Sequence, residues 1–224
     1  MANAGTVTLE DVKADARLSA LLKHADEFME AIGYTEHGFR HANLTASIAL
    51  NVLKRLGLTD REAELAGIAG YLHDVGNVIG RDFHGIASAS LVKTELDRLG
   101  MEINELAMVL NAIGNHEEEY GSDTSPIGAA VVLADKSDVH RTRVRNPDPM
   151  AFDIHDRVNY AAERSFLRVE PDQRVIQLEI DIDTSISQVM EYFEIFLTRM
   201  VRCRRAAQFL GCTFSLIINK IKLL

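Results

Sequence analysis

Leu72-His73-Asp74-Val75-Gly76 is the stretch that decides how this chain is read. It closes an apolar run (Ala63, Leu65, Ala66, Ile68, Ala69, Tyr71, Leu72) and sets an imidazole beside a carboxylate just before a glycine. Burying such a pair costs roughly several kcal/mol unless both groups are hydrogen-bonded or hold a metal. Further candidate ligands stand on either side: His37 and His41 before the pair, and His84, His116 and Asp135 after it. The combination points to a metal site in a helical protein.

The segments around the pair read as helices. Upstream, Leu18, Leu21, Leu22, Phe28, Met29 and Ile32 follow a 3.6-residue period that Gly33 ends. Residues 1–16 are expected to form a loose arm leading into that helix. A second helix opens within Thr35–His41 and runs to Leu56, burying Ala42, Leu44, Thr45, Ile48, Ala49, Val52 and Leu53. If it already includes His37, then His37 and His41 share a face one turn apart, although Gly38 lies between them. Thr59 or Asp60 caps the helix that delivers His73.

Downstream, His84-Gly85 opens a helix that Gly100 ends, and a further helix over 103–115 presents His116. Pro126 suits the first turn of a helix that reaches Asp135. Asn146-Pro147-Asp148-Pro149 breaks the pattern, and a short helix is expected over 153–162. The period then changes. Residues 166–182 read as a hairpin with its turn at 171–173, residues 187–210 as a long helix, and 213–224 as a strand. The expected fold is mostly α: a helical, metal-binding domain over 1–160, followed by a small α+β subdomain over 161–224 made of a β-hairpin, a long helix and a strand.

The totals fit this picture. A chain of 224 residues, 47% hydrophobic and 25% charged, can bury a core without staples. No apolar run reaches the roughly 20 residues that span a bilayer. The Met1-Ala2-Asn3-Ala4-Gly5 start lacks the features of a secretion signal. A cytoplasmic protein is therefore expected, with Cys203 and Cys212 as free, buried thiols. The net charge of −9 argues against a broad nucleic-acid surface, yet leaves room for a small phosphorylated ligand beside bound cations.

Two imidazoles and two carboxylates at His41, His73, Asp74 and Asp135 suit a divalent transition metal (Mn, Fe, Ni or Zn, with Mg also open) better than calcium. Asp74 can reach a second ion with its other oxygen, and His84 and His116 are natural ligands for that ion. Two ions a few Å apart would activate a water and clamp a phosphoryl group in one site. Lys136 and Arg141 are the expected phosphate contacts and, with Asp74, the expected catalytic residues. Arg81 is a weaker candidate for phosphate, and Glu117 for a base. His24 reads as a surface residue, and His140 and His155 are expected outside the metal shell.

His41…His73-Asp74…Asp135 resembles the motif of the HD superfamily of metal-dependent phosphohydrolases, over roughly residues 37–145. The resemblance implies a helical bundle. It implies a first ion on His41, His73, Asp74 and Asp135, and a second on Asp74, His84 and His116. The extra His84 and His116 resemble the dinuclear branch. Phe83-His84-Gly85, Asn115-His116 and Leu133-Ala134-Asp135-Lys136 are similar to the HD-type hydrolases of bis(nucleosyl) tetraphosphates. A weaker likeness runs to the HD-GYP cyclic di-GMP phosphodiesterases, in which residues placed like His37 and Asp138 can hold a third ion. Three departures stand out. The Gly-Tyr-Pro signature is missing, the usual Lys after His-Asp-x-Gly is Asn77, and the C-terminal unit matches neither pattern. The expected function is hydrolysis of a phosphoester or phosphoanhydride of a nucleotide-like substrate. The alternative is a metal- or nucleotide-binding regulatory module with little turnover. The strand-rich end also leaves room for a homodimer.

Overall fold

The small-residue helix that ends at His73 lies at the centre of the fold. In the computed structural model, which describes residues 6–224, this is α4 (Asp60–Leu72), and every residue from Leu65 to Leu72 is buried. Its start is fixed by a capping box in which Thr59 and Glu62 satisfy each other's backbone N–H groups. Its small residues let a neighbour come close. At Gly70 a Cβ would stand 3.2 Å from the Cα of Ala46 on α3 (Phe39–Arg55). α3 and α4 thus cross almost backbone to backbone, which brings His41 and His73 together.

α1 (Leu9–Ala14) and α2 (Ala16–Ala31) precede this pair, while α5 (His84–Leu99), α6 (Ile103–Gly114) and α7 (Pro126–Lys136) complete the bundle. A 3-10 turn, Val75–Val78, follows the His-Asp pair. The arm expected over residues 1–16 is corrected in its second half. Thr8 and Asp11 form a capping box that starts α1, and Val7, Leu9 and Val12 are buried in the core. The Met1–Gly5 part of that arm lies outside the described residues. α3 begins at Phe39 rather than at His37. His37 therefore sits in the loop before it, with its N–H donating to Asp26 Oδ1 at 2.9 Å.

After α8 (Ile154–Ala161) the chain enters a sheet in the order β1 (Ala162–Glu170), β2 (Val175–Ile182), β3 (Thr213–Ile218), β4 (Ile221–Lys222). β1 and β2 form the expected hairpin. α9 (Val189–Phe209) then crosses over so that β3 lies parallel to β2, with Leu178 opposite Leu216. The tail is two strands rather than one. Asn219 and Lys220, at φ 51° and 66°, turn the chain back at residues that tolerate the left-handed region poorly apart from asparagine. Ile176, Leu178, Ile180, Phe214, Leu216 and Ile218 face the core, and α9 packs on both the sheet and α7. The mostly helical fold with a small α+β unit is thus as the sequence pattern led us to expect. Among the described residues, no helix is long and apolar enough to cross a membrane.

Candidate metal centre

The ends of five helices meet at one point in the bundle. His41 lies in the first turn of α3, His73 and Asp74 follow the last turn of α4, and His84 is the first residue of α5. His116 stands just past α6, and Asp135 lies in the last turn of α7. His41, His73, Asp74, His84 and His116 are all buried, and Asp135 is nearly so.

Gly76 sets the distance between Asp74 and His84. A Cβ there would lie 2.2 Å from the carbonyl oxygen of His84 and 2.4 Å from the backbone nitrogen of Ser88. Only glycine lets the 3-10 turn press so close to α5. The contact is clasped by the Gly76 N–H, which donates to Ser88 Oγ at 2.7 Å. Gly85 does similar service on the far side, where a Cβ would meet Glu117 Oε1 at 2.9 Å and His116 Cε1 at 3.2 Å.

Each imidazole is turned by a partner on its outer nitrogen. The Nδ1–H groups donate to Asp138 Oδ2 from His41 (2.7 Å), to Gly70 O from His73 (2.8 Å), to Arg81 O from His84 (2.9 Å) and to Ile113 O from His116 (2.7 Å). All four Nε2 atoms are thereby left facing inward. Those of His41 and His73 are 3.2 Å apart, and those of His84 and His116 are 3.0 Å apart. Nε2 atoms that face each other at that range need a proton or a metal ion between them. Outer-nitrogen hydrogen bonding of this kind is also what fixes metal-ligating histidines.

The carboxylates complete two clusters. Asp74 Oδ2 is 3.6 Å from His41 Nε2 and 3.3 Å from His73 Nε2. Asp135 Oδ1 is 3.4 Å and 3.7 Å from the same two atoms. Ligands bound at about 2.1 Å in tetrahedral or octahedral geometry sit roughly 3.0–3.4 Å from one another, and the spacings around His41 and His73 lie at or just above that range. Asp74 Oδ1 faces the other way, 3.2 Å from His84 Nε2 and 4.0 Å from His116 Nε2. The three overlapping groups that could hold an ion are His41, His73 and Asp74; His73, His116 and Asp135; and Asp74, His84 and His116.

The local electrostatics ask for positive charge. Burial works against protonation of His73, yet Asp74 and Asp135 outweigh it and raise the imidazole to about 10. Burial likewise disfavours ionised Asp74 and Asp135, but His73 and His84 hold the first, and Lys136, His41 and His73 the second, well below the usual carboxylate range. His116 is pushed well down by burial and by its His84 and His73 neighbours, so it stays neutral. The ionised oxygens, with the neutral His116 and with His73 once it gives up its proton to a bound ion, would form a donor set for a divalent transition metal.

Lys136, expected on phosphate, is buried and directed at protein carboxylates. Its Nζ is 2.6 Å from Asp135 Oδ2 and 3.1 Å from Glu118 Oε1. Arg141 is not brought to the centre: it pairs with Glu163 at 3.1 Å and lies over the Tyr160 ring, because the loop after α7 turns alternate side chains outward. Arg143, the inward one, is spent on the carbonyls of Glu36 and Asp138. Asp138, a candidate for a third ion, accepts from His41 and takes both Nη groups of Arg40. His37 is buried near His41, with ring centroids 5.6 Å apart, but belongs to none of the three ligand groups. His24 and His155 are exposed, and His140 bonds to Thr142 and Glu163, all away from the cluster.

The position of Asn77 is informative. Its Oδ1 accepts from Arg81 Nη1 at 3.3 Å, and that guanidinium lies 3.4 Å from His84 Nε2 and 3.9 Å from Asp74 Oδ1. A cation therefore stands near the centre although the lysine is gone. Glu117 serves as a prop: its Oε1 accepts the Gly85 N–H at 2.9 Å, and Oε2 lies 3.3 Å from His84 Nδ1. Two residues that the sequence reading passed over, Tyr34 and Arg199, line both hollows beside the centre. Arg199 could have been noticed as a charge on the buried stripe of α9, one residue before Met200 and three after Phe196.

Residues 34–140 match the HD domain family. The matched segment holds all six clustered ligands. The chain belongs to the HD domain family, within the superfamily of metal-dependent phosphohydrolases. It is 30% identical over 184 residues to an uncharacterized protein of Methanocaldococcus jannaschii, covering 71% of this chain and 70% of that one. It is also 30% identical over 112 residues to ribonuclease Y of Opitutus terrae, covering 50% of this chain and 20% of that protein. This HD protein thus spans only a fifth of the ribonuclease, and α8, α9 and the sheet lie beyond the residues that match the family.

Proposed function

We propose that this HD protein hydrolyses a phosphoester or phosphoanhydride of a small nucleotide-like substrate at a dinuclear centre. The observation that carries the proposal is the placement of Asp74, with one oxygen toward His41 and His73 and the other toward His84 and His116. His41, His73, Asp74 and Asp135 would hold one divalent ion and Asp74, His84 and His116 a second, and the pair would supply water activation and charge neutralisation at the phosphoryl group.

The chain's own side chains do the remaining work. Lys136 holds Asp135 by its outer oxygen and offsets its charge. Arg81 and Arg199 line the approach to the centre and present N–H donors suited to phosphoryl oxygens. The Asn77–Arg81 contact favours turnover over a purely regulatory role, since it restores a cation near the site. The likeness to a ribonuclease supports a nucleotide phosphoester, while the net charge of −9 and the cavity of about 300 Å³ beside the centre favour a small substrate.

Elemental analysis of the purified protein tests the centre. Near two transition-metal ions per chain are expected, falling toward one in His84→Ala. Hydrolysis of bis(p-nitrophenyl) phosphate should vanish in the His73→Ala, Asp74→Ala double variant. Unchanged turnover in that variant would overturn the proposal.

A further inference from the structure

Beside the metal centre lies a cavity of about 300 Å³, within the size range of small-ligand sites. Its two ends differ in chemistry. At the end nearest the metal ligands stand Arg81 and His37, with Arg199 reaching in from α9. The Nε of Arg199 stands 3.2 Å from Glu118 Oε1 and its guanidinium lies over the Phe196 ring, while its two terminal amino groups make no hydrogen bond among the described residues. At the other end, α8 contributes Asp153, Asp156 and Asn159.

That second end presents hydrogen-bond acceptors. Asp156 makes no ion pair among the described residues; burial together with Asp153 pushes its carboxyl up, against the opposing pull of a hydrogen bond from Asn146 and the nearby His155. Asn159 is only 4% exposed; its Nδ2 donates to His155 O at 2.9 Å, while its Oδ1 has no hydrogen-bond partner. A buried acceptor with no partner, in the same wall as a carboxylate that has no cationic partner, suits a ligand with hydrogen-bond donors. Tyr34, also in the wall, supplies aromatic surface.

We infer that this cavity binds the nucleoside of the substrate, with the phosphate on Arg81 and Arg199 and a guanine base read by Asp156 and Asn159. This rests on the hydrolase reading above. Guanine presents its N1–H and 2-amino donors side by side, and a carboxylate accepts such a pair with its two oxygens. Adenine offers a donor beside an acceptor and would leave an acceptor of the protein facing an acceptor of the base. The base-reading residues lie outside the segment matched to the HD family, so selection belongs to the part of the chain added after the catalytic core.

Calorimetric titration of the metal-loaded protein with 5′-GMP, 5′-IMP, 5′-AMP and guanosine tests this. GMP should bind about tenfold or more tighter than IMP, which lacks the 2-amino group, and than AMP. Asp156→Asn should bring GMP to the level of IMP. Arg199→Ala should weaken GMP while leaving guanosine unchanged. Equal affinity for the three nucleotides in the wild-type protein, where no variant has to fold, would overturn the inference, as would a GMP-to-IMP ratio that Asp156→Asn leaves intact. Turnover of bis(p-nitrophenyl) phosphate, which carries no base, reports separately on the hydrolase reading. Turnover without base preference sinks only the guanine site. Absence of turnover from metal-loaded protein sinks the hydrolase reading, whatever the titrations show.

Discussion

Gly76→Ala should cost the protein its second metal ion before it costs the fold. The added Cβ would lie 2.2 Å from His84 O and 2.4 Å from Ser88 N, both of them backbone atoms that no side-chain rotation can clear. Ordinary contact is about 3.5 Å, so the 3-10 turn and α5 must part by about 1 Å. Asp74 rides on that turn and His84 opens α5, so the 3.2 Å between Asp74 Oδ1 and His84 Nε2 widens by a similar amount. Ligand distances tolerate only about 0.2 Å, and the second ion should be lost. The first ion shares Asp74 but keeps His41, His73 and Asp135, which lie on or beside α3, α4 and α7 and do not have to move, so it should be weakened rather than lost. Overpacking of this kind costs about 1–3 kcal/mol, which in a chain of this length lowers the melting temperature by roughly 2–12 °C. Gly80→Ala is the control: nothing lies within 4 Å of its Cβ position, and its stability should change by less than about 0.5 kcal/mol. Metal content and thermal melting of the two variants decide the matter. Two ions retained in Gly76→Ala, with melting like that of Gly80→Ala, would refute the argument.

Asp138→Asn should weaken metal binding about 10- to 100-fold in a chelator competition, because it removes the charge that orients His41 and leaves the buried Arg143 without its counter-ion. The Cys203 thiol is pushed up to about 12 by burial, so native protein at pH 8 should resist iodoacetamide and react only after unfolding; rapid alkylation of the folded chain would contradict the packing of α9. Glu191, at the start of α9, is held at about 2 by hydrogen bonds from Arg157 and Ser187, below its usual 4.5. A depressed carboxylate stabilises the fold above the unfolded pKa and loses that contribution as pH falls through the folded one. The melting-temperature gap between wild type and Glu191→Gln should therefore be full above about pH 4.5 and close as pH falls toward 2; a gap that persists at pH 2 would refute the assignment.

The metal ligands were legible in the sequence because they are expensive residues in cheap surroundings. A histidine beside an aspartate at the end of an Ala- and Leu-rich helix has few reasons to exist, and the six that gather at the centre were all marked by that contrast. The helices were legible from their period. What the sequence concealed was direction. Arg141, Arg143 and Arg145 alternate identically along the chain, yet Arg141 and Arg145 turn to surface partners (Glu163, and Asp26 with Glu30) while Arg143 turns inward onto carbonyls. That choice is made by the 3-10 turn over Arg141–Arg143 and by residues a hundred positions away, such as Glu36. The start of α3 was open for a local reason. Gly38, a poor helix former, lies between His37 and His41, and the helix takes only the second of them.

Lys136 shows how position changes a residue's chemistry. Next to a metal ligand in the sequence, it has the look of a phosphate contact. In the fold its Nζ joins Asp135 Oδ2 at 2.6 Å to Glu118 Oε1 at 3.1 Å, and that same Glu118 oxygen receives Arg199 Nε at 3.2 Å. Asp135, Lys136, Glu118 and Arg199 form a chain of alternating charge that runs from the metal centre to the wall of the adjacent cavity. Each charge in it is partly buried and would be costly alone. α9 could not supply Arg199 to the cavity without Glu118 to receive it, and Glu118 is held in turn by the lysine that steadies the ligand. The C-terminal unit is therefore tied to the centre electrostatically as well as by its packing on α7. A lysine committed in this way cannot also follow a substrate, which leaves Arg81 and the free end of Arg199 as the cations able to meet one.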